Sequence, residues 1–478
     1  MSSLVGFLSL VFAIGINFYL FLSRYIFKFQ KQKFNLFIRF SSLLTLLSFF
    51  SLMYAYVVSD FSNYNVFQNS HSNKPLIYKI SGTWGNHEGS MLLWLSILSI
   101  FSFFFSFTKN IDESFQRLTL IIQSLLHILF GLFIVFTSNP FLVNSILVNE
   151  GLGLNPILQD PALAIHPPIL YLGYVGSSII FSSALAATTL KMVSGSWATH
   201  IKKWTLISWI FLTLGILLGS IWAYYELGWG GFWFWDPVEN VSLMPWLALT
   251  TLLHCILVLE KKSILTSWVI ILSIATFTLS MCGTFLVRSG ILNSVHTFAN
   301  DPERGLFILI FLFVLIFISL FIFFFFHKED QKNSINLFWL SKESAIILNN
   351  WFMMYFLSVV LIGTVYPIFL DVISSEKISV GPPFYHKLII PFLIPFLIAM
   401  AIGPQLKWIK SNLESKKILI FLLFISILIS YLIVKNFDKN FLVNTILISS
   451  AFYLFFITVR DFFTKKFKNI SQNIDHFE

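Results

Sequence analysis

The sequence predicts an all-α fold, a polytopic membrane helix bundle with about thirteen transmembrane helices. The chain has 478 residues, of which 57% are apolar and only 11% are charged. Soluble domains carry about 25% charged residues. The apolar residues fall in runs of roughly 18 to 25, the length that crosses a bilayer. This composition excludes a soluble enzyme, a disordered chain and a fibrous protein.

The predicted spans follow one another without a long linker, a low-complexity tract or an internal repeat. The chain is therefore interpreted as one integral membrane domain, 1–478. Each span is an apolar run bounded by charged or turn-forming residues. In order, the spans lie near 3–22, 40–58, 89–107, 118–137, 168–187, 204–222, 243–259, 265–284, 306–326, 346–370, 388–402, 418–434 and 441–459.

The loops between the spans differ in charge, and this difference predicts the topology. One alternating set of loops contains 23 of the 31 lysines and arginines. That set is 24–39, 108–117, 188–203, 260–264, 327–345, 403–417 and the tail from 460. The positive-inside rule places it on the cytoplasmic or matrix side. We therefore expect the N-terminus outside and the C-terminus inside, and the net charge of +9 reflects topology rather than a nucleic-acid partner.

Neither the cysteines nor the N-terminus indicates a further class of protein. Cys255 and Cys282 both lie inside apolar runs, and no C-x-x-C sequence occurs. The chain therefore offers neither a disulfide framework nor a thiolate metal site. The first apolar run has no charged region before it and no small-residue cleavage site after it, so it is interpreted as a retained span.

The densest feature is an aromatic segment, 222–242, predicted to be a loop on the outer face. Eight of the fourteen residues from 222 to 235 are aromatic. An interfacial belt of aromatic residues is one interpretation. However, two adjacent glycines would let the backbone approach a ligand closely, and the rings would stack on a large flat apolar molecule. The residues proposed to bind such a ligand are Trp229, Gly230, Gly231, Trp233, Trp235 and Asp236.

The end of this segment has the pattern of a helix start. Asp236 is predicted at the N-cap, Pro237 at the first helical position and Glu239 at the third. The loop is therefore expected to have a fixed end. Asp236 and Glu239 are also the acidic residues nearest to the aromatic rings, and no residue is marked as a general acid.

Two histidines are predicted on the same side of the membrane as the aromatic segment. His166 lies at the outer end of the fifth span, and His296 follows the eighth. Together they would supply two axial imidazoles to one iron, although an isolated loop histidine is usually only solvated. Arg288 is placed to pair with a haem propionate, with Asp236 as the alternative partner.

His254 differs from these because it lies within the seventh span. An ionisable group in a span is costly and indicates function by default. Its expected partner is a histidine from another span, as in a haem bound inside a bundle. The candidates are His386, at the start of the eleventh span, and His127, in the fourth. A core histidine bonded to a neighbouring helix is the alternative.

Four segments resemble one family of haem-handling membrane proteins. They are 83–94 (TWGNHEGSMLLW), 155–174 (NPILQDPALAIHPPILYLGY), 229–240 (WGGFWFWDPVEN) and 283–298 (GTFLVRSGILNSVHTF). The third is similar to the tryptophan-rich WWD signature. Together the four resemble the CcmF family, the haem lyase component of the multi-protein cytochrome c maturation system. The resemblance covers about residues 80–410.

The resemblance implies a role for each matching residue. His166 and His296 would hold the incoming haem, the substrate, at the WWD loop. His254 would bind the iron of a second haem, a permanently bound b-type haem. The family's other ligand for that haem is expected between 363 and 386, where His386 is the histidine present. The thiols of a Cys-x-x-Cys-His motif would then add to the vinyl groups of the substrate haem.

The resemblance also implies partners and a membrane. The partners are a haem-carrying chaperone, apocytochrome c, its thiol-handling partner and a further subunit that replaces an outer domain which the family has near its C-terminus. The abundance of Phe, Ile, Asn and Lys favours the mitochondrial inner membrane, with the bacterial inner membrane as the alternative. Two other functional classes stay open at this point: a haem transporter or docking scaffold without chemistry of its own, and a structural subunit of a respiratory complex.

Overall fold

The computed structural model of the chain describes residues 1–26, 31–145, 148–228, 231–288, 302–327, 338–374, 378–408, 416–435 and 441–474. Within these residues the regular structure is helical, apart from one isolated β-bridge between Asn63 and Val143. The helices are α1 (Ser2–Ile26), α2 (Lys31–Val57), α3 (Tyr64–Asn69), α4 (Leu76–Gly82), α5 (His87–Phe105), α6 (Glu113–Thr137), α7 (Pro161–Thr189), α8 (Gly195–Glu226), α9 (Pro237–Lys262), α10 (Thr266–Arg288), α11 (Pro302–Phe326), α12 (Lys342–Ser374), α13 (Pro382–Ile402), α14 (Lys416–Val434) and α15 (Phe441–Ile474). Short 3₁₀ turns occupy Pro156–Leu158 and Gly403–Gln405.

Thirteen helices of the described chain are long and apolar enough to cross a membrane, all except the short α3 and α4. The prediction of an all-α membrane bundle with about thirteen spans is thereby confirmed. Most helices extend beyond the predicted apolar runs. For example, α2 begins at Lys31, whereas the run begins near 40. A helix continues past its apolar stretch because long basic side chains keep their charge in water while their stems cover apolar surface.

The chain divides into two compact units, Met1–Glu329 and Asp330–Glu478. The interpretation of residues 1–478 as one integral membrane domain stays a prediction. The first unit contains α1 to α11, and the second contains α12 to α15.

In the first unit, α7 is the central helix, and it packs against α4, α5, α6, α8, α10 and α11. Its closest neighbour is α8. A Cβ atom built on Gly173 would collide with the backbone of Leu212, and one built on Gly215 would lie 2.6 Å from Cα of Leu170. Small residues at such crossings let two helix backbones approach closely in a membrane.

The segment between α2 and α5 is folded against the segment that follows α6. Tyr64 donates its backbone N–H to Leu142 O at 2.8 Å, and Asn144 donates its backbone N–H to Ser62 O at 2.8 Å. These bonds flank the isolated β-bridge. The two connections therefore form one packed layer at the ends of the spans.

In the second unit, α12 packs against α13, and α15 packs against α13 and α14. A small core of Ala401, Leu419, Tyr453 and Ile457 joins the last three helices. The second unit thus has apolar contacts of its own.

Candidate functional site

The first unit contains a cavity of about 500 Å³ where the ends of several spans converge. This volume lies within the usual range of small-molecule sites, about 300 to 1,000 Å³. Its walls come from the start of α5, the first turns of α7, the end of α8, the start of α9 and the end of α10. They include Trp84, His87, Glu88, His166, Tyr171, Tyr174, Trp222, Val238, Ser242, Gly283 and Val287.

His166 lies on the wall of this cavity, but it is not a loop residue as the sequence suggested. It is the sixth residue of α7, which begins at Pro161. Its Nδ1 lies 2.8 Å from the backbone oxygen of Gly215 on α8. A carbonyl oxygen can only accept, so Nδ1 carries the proton and Nε2 keeps the lone pair. Metal-binding histidines are commonly held in this way, with one ring nitrogen donating to a backbone carbonyl.

Two glycines of α8 make room for the His166 ring. Gly215 provides the acceptor carbonyl, and Gly219 lies one turn further along the helix. A Cβ atom at Gly219 would stand 2.7 Å from Cε1 of His166, closer than non-bonded carbon atoms can approach. The sequence Gly-Ile-Leu-Leu-Gly, residues 215–219, is thus the small-xxx-small pattern of closely packed membrane helices.

Two prolines inside helices leave backbone carbonyls near the cavity without their usual helical donors. Aromatic side chains of the cavity wall donate hydrogen bonds to both carbonyls. Pro168 cannot donate to Ala164 O, and this oxygen accepts from Trp84 Nε1 at 3.1 Å. In α9, Pro245 likewise frees Val241 O, which accepts from the Tyr174 hydroxyl at 2.8 Å. Inside a membrane such carbonyls must be satisfied by other protein groups. Side chains of the cavity wall therefore also satisfy the backbone carbonyls that the two prolines free.

The aromatic loop is shorter than predicted. Helix α8 extends to Glu226 and α9 begins at Pro237, so the connection is 227–236 rather than 222–242. Trp222 is a buried residue of α8 and lines the cavity. Helix α8 continues past 222, and Tyr224 and Tyr225 belong to its last turn. Tyrosine is common where a membrane helix reaches the headgroup level.

The predicted start of α9 is confirmed. Asp236 is the N-cap, Pro237 follows it, and Glu239 completes a capping box. Glu239 Oε2 accepts from the backbone N–H groups of Phe234 at 3.1 Å and Asp236 at 3.2 Å. Asp236 Oδ2 accepts from Val238 N at 2.9 Å. Both carboxylates therefore hold the loop end in place.

Among the described residues of the loop, Trp235 has a strained backbone conformation. Its φ is +60°, in the left-handed region that residues other than glycine rarely adopt. Asn240 stabilises this conformation because its Nδ2 donates to Trp235 O at 3.1 Å. The Trp235 ring packs edge to face with Trp233, with ring centroids 6.0 Å apart. The two tryptophans are half-buried, whereas Phe232 and Phe234 are exposed.

The glycine requirement expected in this loop is not found at Gly231. A Cβ atom there would meet only Trp233 O, at 3.8 Å, and the backbone is not left-handed. The left-handed glycine is Gly228, with φ of +62°. Trp229 and Gly230 lie outside the described residues. Within the described part of the loop, then, the space around Gly231 would accept a side chain.

One hydrogen bond connects the end of α8 to the helix that carries His166. The Tyr225 hydroxyl donates to Asp160 Oδ1 at 2.7 Å. The same oxygen accepts from Ala162 N and Leu163 N and so caps the N-terminus of α7. The end of α8, next to the aromatic loop, and the start of α7, which carries His166, are therefore linked through Asp160.

The remaining residues predicted for the outer site are only partly described. Arg288 is the last residue of α10, directly after Val287, which lines the cavity. His296 lies outside the described residues. Asp236, the alternative partner proposed for Arg288, is occupied as a helix cap.

His87 and Glu88, which the sequence analysis quoted within the segment 83–94 but did not assign to the site, lie in the first turn of α5 and line the cavity. Glu88 is the one carboxylate among the described lining residues, and its Oε2 accepts from Asn65 Nδ2 at 3.2 Å. His87 is buried, with Nε2 3.2 Å from Ser138 Oγ. A sequence signal existed, because Asn86 is a preferred N-cap residue before a continuous apolar run.

A buried lysine lies beside the same wall. Lys74 Nζ donates to the backbone oxygen of Asn69, a lining residue, at 2.9 Å. Burial, together with the neighbouring charge of Lys79, lowers the pKa of Lys74 to about 8. The layer outside the spans is thus packed closely enough to desolvate an amine.

His254 lies half-buried within α9, as the sequence predicted. Its ring donates a hydrogen bond to the backbone carbonyl of Thr250, one turn earlier. The Thr250 hydroxyl accepts from Trp209 Nε1 on α8 at 2.9 Å. Trp209 is stacked on Trp246, with ring centroids 6.4 Å apart. His254 therefore lies on the face of α9 that is fixed to α8 by a tryptophan pair.

The two candidate partners of His254 lie in different surroundings. His127, on α6, is buried, and its Nε2 is 2.9 Å from Thr45 Oγ1 on α2. It is therefore a core histidine bonded to a neighbouring helix. His386 is exposed in the first turns of α13, in the second unit.

Comparison with known proteins places the chain among cytochrome c biogenesis proteins. The model of the cytochrome C assembly protein family matches residues 84–293, the part of the chain that contains most of the cavity. The biogenesis protein CycK of Bradyrhizobium diazoefficiens is 51% identical over 368 residues, which is 77% of this chain and 56% of the relative. CcmF of Escherichia coli is 42% identical over 405 residues, 84% of this chain and 62% of the relative.

A solved structure, described as cytochrome c haem lyase CcmF, has the same fold. Its TM-score is 0.77 at 26% identity, and the match covers 96% of this chain and 71% of that one. The chain spans a little over half the length of the curated relatives that it matches. These relatives are bacterial, so the mitochondrial placement expected from composition is not supported, whereas the bacterial alternative is.

Proposed function

We propose, since the chain belongs to the CcmF family of cytochrome c-type biogenesis proteins, that it is a haem lyase that holds substrate haem at the cavity beside His166. One observation supports this assignment most strongly. His166 donates from Nδ1 to Gly215 O and lies on the cavity wall, and this bond fixes the ring in the way that is common for a histidine that binds a metal through Nε2.

The aromatic loop and the end of α10 would complete the binding of substrate haem. His296 is proposed as the second axial ligand. Trp229, Gly230, Gly231, Trp233 and Trp235 would form the aromatic surface, with Asp236 fixing the end of the loop. Arg288 directly follows a cavity residue and would pair with a propionate. Glu88 would lie away from the propionates because like charges repel.

The reaction proposed for this site is thioether formation. A cysteine thiol of the apocytochrome adds across a haem vinyl group, so that a carbon–sulfur bond forms and the thiol hydrogen passes to the other vinyl carbon. No electrons are gained or lost overall. The protein contributes mainly by holding haem and peptide together, which makes the encounter effectively unimolecular. A cavity lined by aromatic and aliphatic side chains together with polar groups suits this positioning role.

A resident b-type haem is proposed at His254. The residues fit such a group because the His254 ring donates to the Thr250 carbonyl, the arrangement that fixes a ligating imidazole. His386 is the proposed second ligand. When bound, this haem would supply electrons that keep the substrate iron ferrous.

The proposed partners are a haem-carrying chaperone, apocytochrome c with its thiol-handling partner, and a further subunit. The proposed location is the bacterial inner membrane. A haem transporter or docking scaffold is the competing function, and it differs by lacking thioether formation.

A single-turnover assay separates these functions. Purified protein is mixed with ferrous haem and a peptide that contains Cys-x-x-Cys-His, and haem that stays on the peptide after acid extraction is measured. A lyase gives covalent product, and His166→Ala abolishes it. His71→Ala is the matched control, since this histidine is half-buried and does not line the cavity. Haem binding without product, using wild-type protein and its partners, would favour the scaffold.

A further inference from the structure

Helices α7 and α8 cross in one constant register beside the cavity. Three close contacts of the crossing each include a glycine, and the pairs are Gly173 with Leu212, Leu170 with Gly215, and His166 with Gly219. From one pair to the next, the position on α7 falls by as many residues as the position on α8 rises. The two antiparallel helices therefore stay in close contact up to the His166 ring.

The hydrogen bond between Tyr225 and Asp160 continues this register past His166. Asp160 lies six residues before His166, and Tyr225 lies six residues after Gly219. The Tyr225 hydroxyl donates to Asp160 Oδ1 at 2.7 Å. The bond therefore holds together the end of the crossing at which His166 meets the cavity.

Asp160 binds groups from both helices with one oxygen atom. Besides the Tyr225 hydroxyl, Oδ1 accepts from the backbone N–H groups of Ala162 at 2.8 Å and Leu163 at 3.0 Å. Leu163 lines the cavity on the α7 side, and Leu227, two residues after Tyr225, lines it on the α8 side. Because hydrogen bonds to a carboxylate are short and specific in geometry, this oxygen fixes the distance between the two walls.

The aromatic connection 227–236 leaves α8 directly after this bond. Leu227 is the C-cap of α8 and donates its N–H to Ala223 O at 3.2 Å, and Gly228 then turns the chain with φ of +62°. The other end of the connection is held by Glu239. The place where the connection starts therefore depends on the last turn of α8, which Tyr225 ties to α7.

From these contacts we propose that Tyr225 is a positioning residue for substrate haem. Through Asp160 it holds the start of the aromatic connection at a fixed place relative to His166, so that both parts of the site meet one ligand. The proposal rests on the proposed function of the cavity. Tyr225 and Asp160 do not belong to the described lining of the cavity, so their effect on haem is indirect. Small displacements of a binding group are costly, and supporting hydrogen bonds prevent them.

The test compares Tyr225→Phe with Tyr224→Phe in the full chain. The two tyrosines are 49% and 55% exposed, and adjacent residues point about 100° apart around a helix, so Tyr224→Phe is the matched control. Haemin is titrated into the protein, and amide exchange of residues 223–228 is followed by mass spectrometry without added haemin. Tyr225→Phe should bind haemin roughly three to ten times more weakly, the effect of one hydrogen bond, and its amides should exchange faster. Tyr224→Phe should match wild type in both measurements.

Two variants of Asp160 separate the tyrosine bond from the helix cap. Asp160→Asn keeps an oxygen that accepts from the backbone and from the tyrosine, so it should lose less affinity than Tyr225→Phe. Asp160→Ala removes the acceptor, and adding Tyr225→Phe to it should cause no further loss because both changes remove one bond. Helical content and melting temperature are measured for each variant, so that a misfolded variant is recognised.

The proposal is overturned if Tyr225→Phe binds haemin as tightly as Tyr224→Phe does. It is also overturned if the losses in Tyr225→Phe and Asp160→Ala add, or if affinity falls while amide exchange of 223–228 stays unchanged, since the hydroxyl then acts by another route. Failure of the proposed function has a different result, because wild type itself then binds no haemin at the cavity.

Discussion

His166 and His254 lie in the same unit but in opposite kinds of surroundings. His166 is near the end of a span, is held by a carbonyl of a different helix, and lines a cavity. His254 is within a span and is held by a carbonyl of its own helix, that of Thr250. The Thr250 hydroxyl accepts from Trp209, which is stacked on Trp246. Both rings are oriented by one ring N–H, and the first lines a cavity of about 500 Å³.

The comparison suggests how one protein can hold two haems for different purposes. A ligand that must be delivered, modified and released requires an open cavity and contributions from several helices. In the proposal, the resident haem is held by His254, whose ring hydrogen bond stays within α9. We interpret His166 as the histidine that would bind substrate haem and His254 as the histidine that would bind the resident haem.

The largest effect is expected from removing each imidazole in turn, which tests whether the two histidines have different roles. We expect His254→Ala to abolish the b-type absorbance of the purified protein, because one imidazole holds the iron poorly. His166→Ala should keep that absorbance. The measurement is the reduced absorption spectrum per mole of protein. A full bis-imidazole spectrum in His254→Ala would show that His254 is only a core residue.

The next test crowds His166 without removing it. Gly219→Ala places a Cβ atom 2.7 Å from Cε1 of His166, so the ring must move. We expect substrate haem to bind at least tenfold more weakly, a loss typical of misplacing a metal-ligand contact, while the resident absorbance stays. Haem titration from the carrier measures this. Gly15→Ala is the matched control, because a Cβ at Gly15 meets nothing within 4 Å. Equal affinity in both variants would contradict the role of the α7–α8 crossing.

A smaller effect is expected when the wall of the cavity loses a hydrogen bond. Tyr174→Phe leaves Val241 O, which Pro245 has freed, without its donor. The unmet carbonyl should lower the free energy of unfolding by about 1 to 3 kcal/mol. Thermal unfolding in detergent measures the change. The exposed Tyr54→Phe should have almost no effect. Equal melting temperatures for the two variants would mean that another group replaces the hydroxyl.

The smallest effect should come from the neighbours of His254. Trp209→Phe keeps an aromatic ring but removes the N–H that holds Thr250. Because Trp209 acts through Thr250, the loss of resident haem affinity should stay below the roughly tenfold effect of a direct partner of a ligand. Trp246→Phe is the matched control, since its N–H bonds Thr213 instead. The midpoint potential of the b-type signal should shift only for Trp209→Phe. Identical shifts in both would show that the stacked rings, not the hydrogen bond, matter.

Much of the fold could be predicted because a membrane constrains sequence strongly. Long apolar runs gave the thirteen spans, and the spacing of Asp236, Pro237 and Glu239 gave the helix start that the structure has. The position of His166 could not be read in this way. The sequence placed the fifth span near 168–187, whereas α7 begins at Pro161 and includes Pro167 and Pro168, and Trp84 donates to the carbonyl that Pro168 frees.

The cavity wall was the least predictable part of the site. His87 and Glu88 come from a segment far from the aromatic loop in sequence, and only the packing of α5 against α7 brings them to the cavity. Trp235 presented a similar difficulty. Its left-handed backbone depends on Asn240, five residues later, and local patterns favoured the glycines as the unusual positions instead.

The central claim is that His166 supplies an axial ligand to substrate haem during thioether formation, and chemical rescue tests it most directly. His166→Gly removes the imidazole and leaves a space beside Gly215 and Gly219. The purified variant is given ferrous haem and a Cys-x-x-Cys-His peptide, with and without free imidazole, and covalently linked haem is measured. The account predicts no product without imidazole and restored product with it, while the resident absorbance stays constant. Product at the wild-type rate without imidazole would contradict the claim.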